Sequence, residues 1–126
     1  MPSLDVQADI RKRLSDALSP VDVRIAVPED RPKKLVVVEH EGRRSLNAMQ
    51  DRTGIGILAW APSEIEARSL IMRAGELIRG LPRTSFLGGY ESCVEEKMLP
   101  ETDPETGSPR WYASYTITTH EPVKTD

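Results

Sequence analysis

The sequence predicts an α+β fold: a mostly antiparallel mixed sheet with two helices packed on one face, in the order α-β-β-β-α-β-β. Three observations lead there. Two stretches repeat apolar residues at three- and four-residue steps, as amphipathic helices do, and several others alternate at two-residue steps, as half-buried strands do. The chain of 126 residues has room for one domain, residues 1–126, and not for two. Two helices on one side of a sheet are then the simplest way to bury both kinds of apolar face.

The first helix is expected over residues 4–18, where Leu4, Ile10, Leu14 and Leu18 share a face with Val6 and Ala17 beside them. Ser3 is placed to cap it, Arg11, Lys12 and Arg13 fall toward the later turns, and Pro20 stops it. Val21, Val23, Ile25 and Val27 then alternate as a strand that Pro28 ends. Residues 28–34 carry too many charges and prolines to pack and read as an exposed loop into a second strand, Leu35–Glu39. The polar stretch 41–45 follows, and Leu46–Asp51 reads equally as short strand or loop.

Thr53–Ala61 is apolar on both faces toward its end, as a central strand is, and Gly54 and Gly56 mark a close backbone approach or a bulge. Ser63 and Glu66 form a capping box, in which Ser63 accepts from the Glu66 amide while Glu66 reaches back to the Ser63 amide. The second helix starts there with a stripe of Ile65, Leu70, Ala74, Leu77, Ile78 and Leu81, and it stops at Gly80 and Pro82. Residues 83–89 read as a loop holding the single Phe, Phe86. A strand follows over Tyr90–Leu99 with neither face convincingly apolar, a pattern that suits partial exposure or cover by another subunit. Residues 100–109 are turn-rich, and Arg110–His120 is a final strand with Trp111, Ala113, Tyr115 and Ile117 on one face. From about residue 121 a frayed tail is expected.

Chemistry is scarce. The sequence has one cysteine and two histidines, and it contains none of the common phosphate-loop, dinucleotide, zincin or nucleophile-elbow motifs. Neither a metal nor a cofactor is expected. His40, between Glu39 and Glu41, is conceivable as a metal ligand or general base, although a solvated strand-end histidine is commoner, and His120 before Glu121 and Pro122 reads the same way. Cys93 lacks a basic neighbour to lower its pKa, so a half-buried structural thiol is the better reading. Glu95 and Glu96 are adjacent in a strand and point apart, which excludes an acid/base pair between them. The longest apolar run, Ile57–Ala61, is far too short to span a bilayer, and the Met-Pro-Ser-Leu-Asp start lacks the pattern of a secretory signal, so a cytoplasmic, non-membrane protein is expected.

Charge carries more information. Arg31, Lys33, Lys34, Arg43, Arg44 and Arg52 accumulate basic charge, but acidic residues among them favour a solvated face over a nucleic-acid contact. The net charge of -3 conceals an asymmetry, because the excess of acid lies in the C-terminal half, chiefly Glu91, Glu95, Glu96, Glu101, Asp103 and Glu105. Trp60 and Trp111 read as core anchors, with an interface as the functional alternative.

Two segments resemble the tail terminator proteins of long-tailed bacteriophages, also called tail completion or tail-to-head joining proteins. One is Ile57–Ala67, a strand ending in Trp-Ala that passes straight into a capped helix. The other is Asp103–Trp111, a D-P-x-T-G-x-P-R-W turn feeding the last strand. The similarity runs over roughly residues 4–120. It implies a structural virion protein, with no catalytic activity, that assembles in the host bacterial cytoplasm and resides at the tail–neck junction of the particle. Its subunits form a hexameric ring, cap the tail tube, end tube polymerisation and present a docking surface to the head-tail connector, or stopper, protein. DNA passes through such a ring without specific binding. Exposure and composition then nominate Arg31, Lys33, Lys34, Phe86, Asp103, Arg110 and Trp111 as interface residues, with Arg110 and Trp111 as anchors. The acidic Glu91, Glu95, Glu101 and Glu105 are nominated to face the channel, where negative charge repels phosphate. Rival readings are another neck component such as a head-tail joining adaptor, a small enzyme or ligand-binding domain using His40, and an acidic partner-binding module.

Overall fold

Val6, Ile10, Leu14 and Leu18 recur at helical spacing and are all buried, and they form the inner face of helix α1 (Val6–Leu18). The cap is Asp5 and not Ser3: the Asp5 carboxylate accepts from the Ala8 amide, satisfying one of the orphan donors of the first turn. Ala17 is exposed, and no basic side chain lies in the last turn. The chain then forms β1 (Asp22–Arg24), β2 (Leu35–Ser45), β3 (Gln50–Trp60), α2 (Glu64–Arg79), a short α3 (Leu81–Ser85), β4 (Tyr90–Pro100) and β5 (Arg110–His120). This computed structural model describes residues 4–85 and 87–121. Ser3, Phe86 and the tail beyond residue 121 lie outside the described residues.

The five strands form one sheet in the order β1-β2-β3-β5-β4, with β1 parallel to β2 and every other pair antiparallel. α1 and α2 cover one face, and the main core lies between them and the inward side chains of the strands, including Val36, Val38, Ile55, Ile57, Ala113, Tyr115 and Ile117. The expected α+β class and element order are those observed, with α3 added where a loop was expected. Glycine at position 75 lets α2 approach the sheet, since a Cβ there would meet the Tyr115 hydroxyl at 2.6 Å.

Four local expectations are corrected. The alternation from Val21 to Val27 yields only a three-residue strand, because the chain leaves the sheet after Arg24 and Ile25 and Val27 are exposed. β2 continues through the polar residues to Ser45, since its partner β3 starts at Gln50 and the two form a hairpin in which β2 is exposed from Glu39 onward. Ile65 belongs to the outside of α2, where it is 81% exposed, while Ala67 and Ile71 take the inner positions. At the start of α2 the Ser63 hydroxyl accepts from the Glu66 amide at 3.2 Å and donates to the Glu66 carboxylate at 3.0 Å, so Glu66 bonds the hydroxyl and not the Ser63 amide.

The weak alternation of β4 has a specific cause. Register shifts at Tyr90/Ser92 and at Glu95/Lys97 insert an extra residue twice against β5, each time restoring inward facing to a residue that strict alternation would turn outward. Tyr90, Cys93, Glu95 and Met98 therefore lie opposite Thr119, Ile117, Tyr115 and Ala113, all on the helix side.

Candidate docking site at the Trp60 end of the sheet

The face of the sheet away from α1 and α2 carries a second, smaller apolar cluster: Leu35, Val37, Leu58 and Trp60, with Tyr112 packed beside it. These are the alternate residues of β2, β3 and β5 at the end where β2 begins and β3 finishes. Two loops, residues 25–34 and 101–109, close over this end and leave a groove of about 510 Å³.

Trp60 organises the groove. Its indole is 1% exposed, and Nε1 donates to Asp103 Oδ2 at 3.0 Å. The other Asp103 oxygen accepts from the Glu105 amide at 2.9 Å, so one carboxylate both holds the tryptophan and folds its own loop. These bonds to the charged form hold the Asp103 carboxyl below the usual range, with the Trp60 bond the largest cause and the Glu105 amide next. Gly107, at φ +73°, supplies the left-handed residue of the loop, and its amide donates to the Asp103 carbonyl. Arg31 and Arg110 place their guanidiniums over the Trp60 ring at 5.7 and 5.4 Å. Arg31 also donates to Ser108 Oγ at 2.8 Å, tying the two loops together, and Arg110 pairs with Glu101 at 2.9 Å. The carboxylates of Glu29, Glu39 and Glu105 line the groove and have no hydrogen-bonding or ion-pair partner among the described residues.

The structure thus gathers Arg31, Asp103, Glu105 and Arg110 at one place and attaches Glu101 through Arg110. It separates the others. Lys33 is exposed outside the groove lining, and Lys34 faces Glu66 at 3.8 Å beside α2. Trp111 points to the helix side and packs against the main core, so it does not share a surface with Arg110. Phe86 lies outside the described residues.

The acidic set does not form one surface either. Glu95 lies on the helix side, where Arg79 pairs with it at 2.7 Å and the Tyr115 hydroxyl donates to it at 3.1 Å. Glu101 is neutralised by Arg110. Glu91 bonds Gln50 at the far end of β4, ten residues or roughly 33 Å along the strand from Glu101. Likewise Arg43, Arg44 and Arg52 sit at the tip of the β2–β3 hairpin, where Arg43 pairs with Asp51, remote from the loop bearing Arg31.

Other polar groups have structural partners. The Tyr90 hydroxyl donates to Asp9 at 2.5 Å, Arg13 pairs with the same oxygen at 2.7 Å and donates to Ser85, and together these tie α1 to α3 and β4. On the uncovered sheet face the Tyr112 hydroxyl donates to Glu41 and Lys97 lies 5.3 Å from the centre of its ring, and burial, followed by Glu41, pushes the phenol up to about 12. Burial likewise pushes the Cys93 thiol up to about 12. His40 is exposed, and its side chain makes no hydrogen bond or ion pair among the described residues. Among the described residues no group of three or more His, Cys, Asp or Glu could hold a metal ion, and no helix is long and apolar enough to cross a membrane.

Sequence reasoning finds the arginines and the D-P-x-T-G turn but misses Glu29, Glu39 and Leu58. Glu39 has a signal: it continues the Leu35, Val37 alternation, which places its side chain on the same face as Trp60. No protein family model matches the chain, and no curated protein matches it.

Proposed function

We propose that this chain is the tail terminator subunit of a long-tailed phage. In this reading, copies form a hexameric ring on the finished tail tube, stop its growth and present a surface to the head-tail connector at the tail–neck junction. The observation that carries the reading is the Trp60–Asp103 hydrogen bond. The two segments that resemble terminators, Ile57–Ala67 and Asp103–Trp111, meet through this bond between residues 43 positions apart in sequence, so they behave as one structural unit.

The mechanism is recognition followed by occlusion. A rigid surface that binds the last ring of tube subunits consumes the face on which the next ring would add, and it needs no bond making or breaking. The groove is suited to such docking, because its two loops are cross-tied by Arg31–Ser108 and Arg110–Glu101 and anchored on a buried tryptophan, so little freedom is lost on binding. Arg110 and Arg31 replace the Arg110–Trp111 pair as expected anchors, because Trp111 faces the main core. Of the residues expected to face the channel, Glu105 is the one unpaired among the described residues, but it lies in the groove proposed to meet the tube, so the acidic channel lining is dropped from the proposal. DNA traverses the ring without specific binding.

The test is an elongation assay. Purified protein added to growing tail tubes should arrest them, so that tube length stops increasing with time. The Arg31→Ala/Arg110→Ala variant, with its fold verified by circular dichroism, should lose most of that effect. Tubes that grow equally with and without the wild-type protein would overturn the reading.

A further inference from the structure

The Trp60 groove occupies one end of the sheet face that the helices leave uncovered, and the hairpin half of that face carries a different arrangement. There the register sets Arg44 of β2 directly opposite Arg52 of β3, Arg52 opposite Thr118 of β5, and Thr118 opposite Ser92 of β4. Arg52 alternates with the buried Thr53, so these four side chains form one row on the face away from the helices. Both arginines are exposed, and none of the four side chains has a hydrogen-bonding or ion-pair partner among the described residues. Like charges directly opposite one another in a sheet, with Cβ atoms about 4.5–5.5 Å apart, are destabilising, and an anion between them relieves the repulsion.

The acidic neighbours that surround this pair in the sequence are directed elsewhere by the fold. The Glu41 carboxylate lies over Gly56 and accepts from the Tyr112 hydroxyl. Asp51 is on the helix side, where it pairs with Arg43. Glu91 accepts from Gln50, and Glu39 is five residues, roughly 15 Å, along β2 from Arg44.

From this arrangement we infer that Arg44, Arg52, Thr118 and Ser92 form a sequence-independent contact for the phosphate backbone of duplex DNA. Phosphate oxygens accept from guanidiniums and hydroxyls alike, and such contacts carry no base information. A lone carboxylate of a protein partner is filled by one bidentate guanidinium. This row instead spans four strands, about 14 Å, as contact with a run of anionic groups requires. No aromatic side chain stands in the row to stack on an unpaired base, so a duplex fits it better than a single strand. The site stands on the sheet register and not on the ring reading, and it is compatible with DNA passing through a ring without specific binding.

The experiment is fluorescence anisotropy of a short labelled DNA duplex of mixed sequence, titrated with the protein at several salt concentrations. Arg44→Ala/Arg52→Ala should bind at least about tenfold more weakly at low salt and should reduce the slope of log affinity against log salt by about 2. Its Tm should not fall, because the substitution removes a like-charge pair from an exposed surface. Arg68→Ala/Arg73→Ala removes the same charge from exposed positions on α2 and should bind as the wild type does. Equal loss of affinity in the two variants, wild-type affinity in Arg44→Ala/Arg52→Ala, or a wild type that shows no salt-dependent binding would overturn the site. Loss of tube capping by Arg44→Ala/Arg52→Ala with DNA affinity unchanged would overturn it too, by assigning the pair to a protein surface. Salt-dependent duplex binding through this pair by a protein that leaves tail tubes growing would support the site and defeat the ring reading.

Discussion

Replacing Asp103 by Ala removes two things at once. The Trp60 indole, 1% exposed, loses its acceptor, and the 103–108 loop loses the side-chain bond to the Glu105 amide. An unsatisfied buried donor costs about 1–3 kcal/mol, and a local bond to a carboxylate adds about 1 kcal/mol. The expected loss is about 3 kcal/mol, or roughly 10 °C in Tm for a domain of this size. Urea unfolding followed by far-ultraviolet circular dichroism measures it. Trp60→Phe removes the donor from the other side, and in a double-mutant cycle the pair should couple by about 1.5 kcal/mol or more. The sign of the pH dependence follows from the depressed Asp103 carboxyl. Its contribution is present above the unfolded value near 4 and is lost as pH falls through the lower folded value, so the gap between wild type and Asp103→Ala should narrow in acid. Stability of Asp103→Ala within about 0.5 kcal/mol of wild type at neutral pH, or strict additivity with Trp60→Phe, would refute this account.

Three further outcomes are expected. Gly75→Ala should destabilise the fold by about 1–3 kcal/mol and loosen the Tyr115–Glu95 contact, because its Cβ would sit 2.6 Å from the Tyr115 hydroxyl, and thermal unfolding checks it. Cys93 should react slowly with a disulfide reagent at pH 8 in the native protein and rapidly in denaturant, since burial raises its pKa to about 12. Tyr90→Phe should cost about 1 kcal/mol in chemical denaturation, the worth of the lost bond to Asp9, with Arg13 still pairing that carboxylate.

Local periodicity reveals most of the elements, because each helix and strand that buries one face must repeat at 3.6 or 2 residues. It fails where tertiary pairing overrides local pattern. The polar half of β2 is a strand because β3 runs beside it, and no apolar alternation records that. In β4 two extra residues shift the alternation, so that Tyr90, Cys93, Glu95 and Met98 face inward at uneven spacing. The candidate site is half legible. Arg31, Asp103 and Arg110 stand out as charges in or beside proline-rich loops, but their meeting at Trp60 depends on sheet order, which no local pattern encodes. Proximity in sequence pairs Trp111 with Arg110, although neighbours in a strand necessarily point to opposite faces. The acidic excess of the C-terminal half is real, yet two of its members, Glu95 and Glu101, are consumed by Arg79 and Arg110.

The proposed closure of a tail-tube end by copies of this chain can be seen by electron microscopy of isolated tail tubes after incubation with the purified protein. A single ring of added density with rotational symmetry is expected at one end of each tube, and it should be lost with Arg31→Ala/Arg110→Ala. Bare tube ends at saturating protein, or density scattered along the tube wall and equal for wild type and variant, would contradict it.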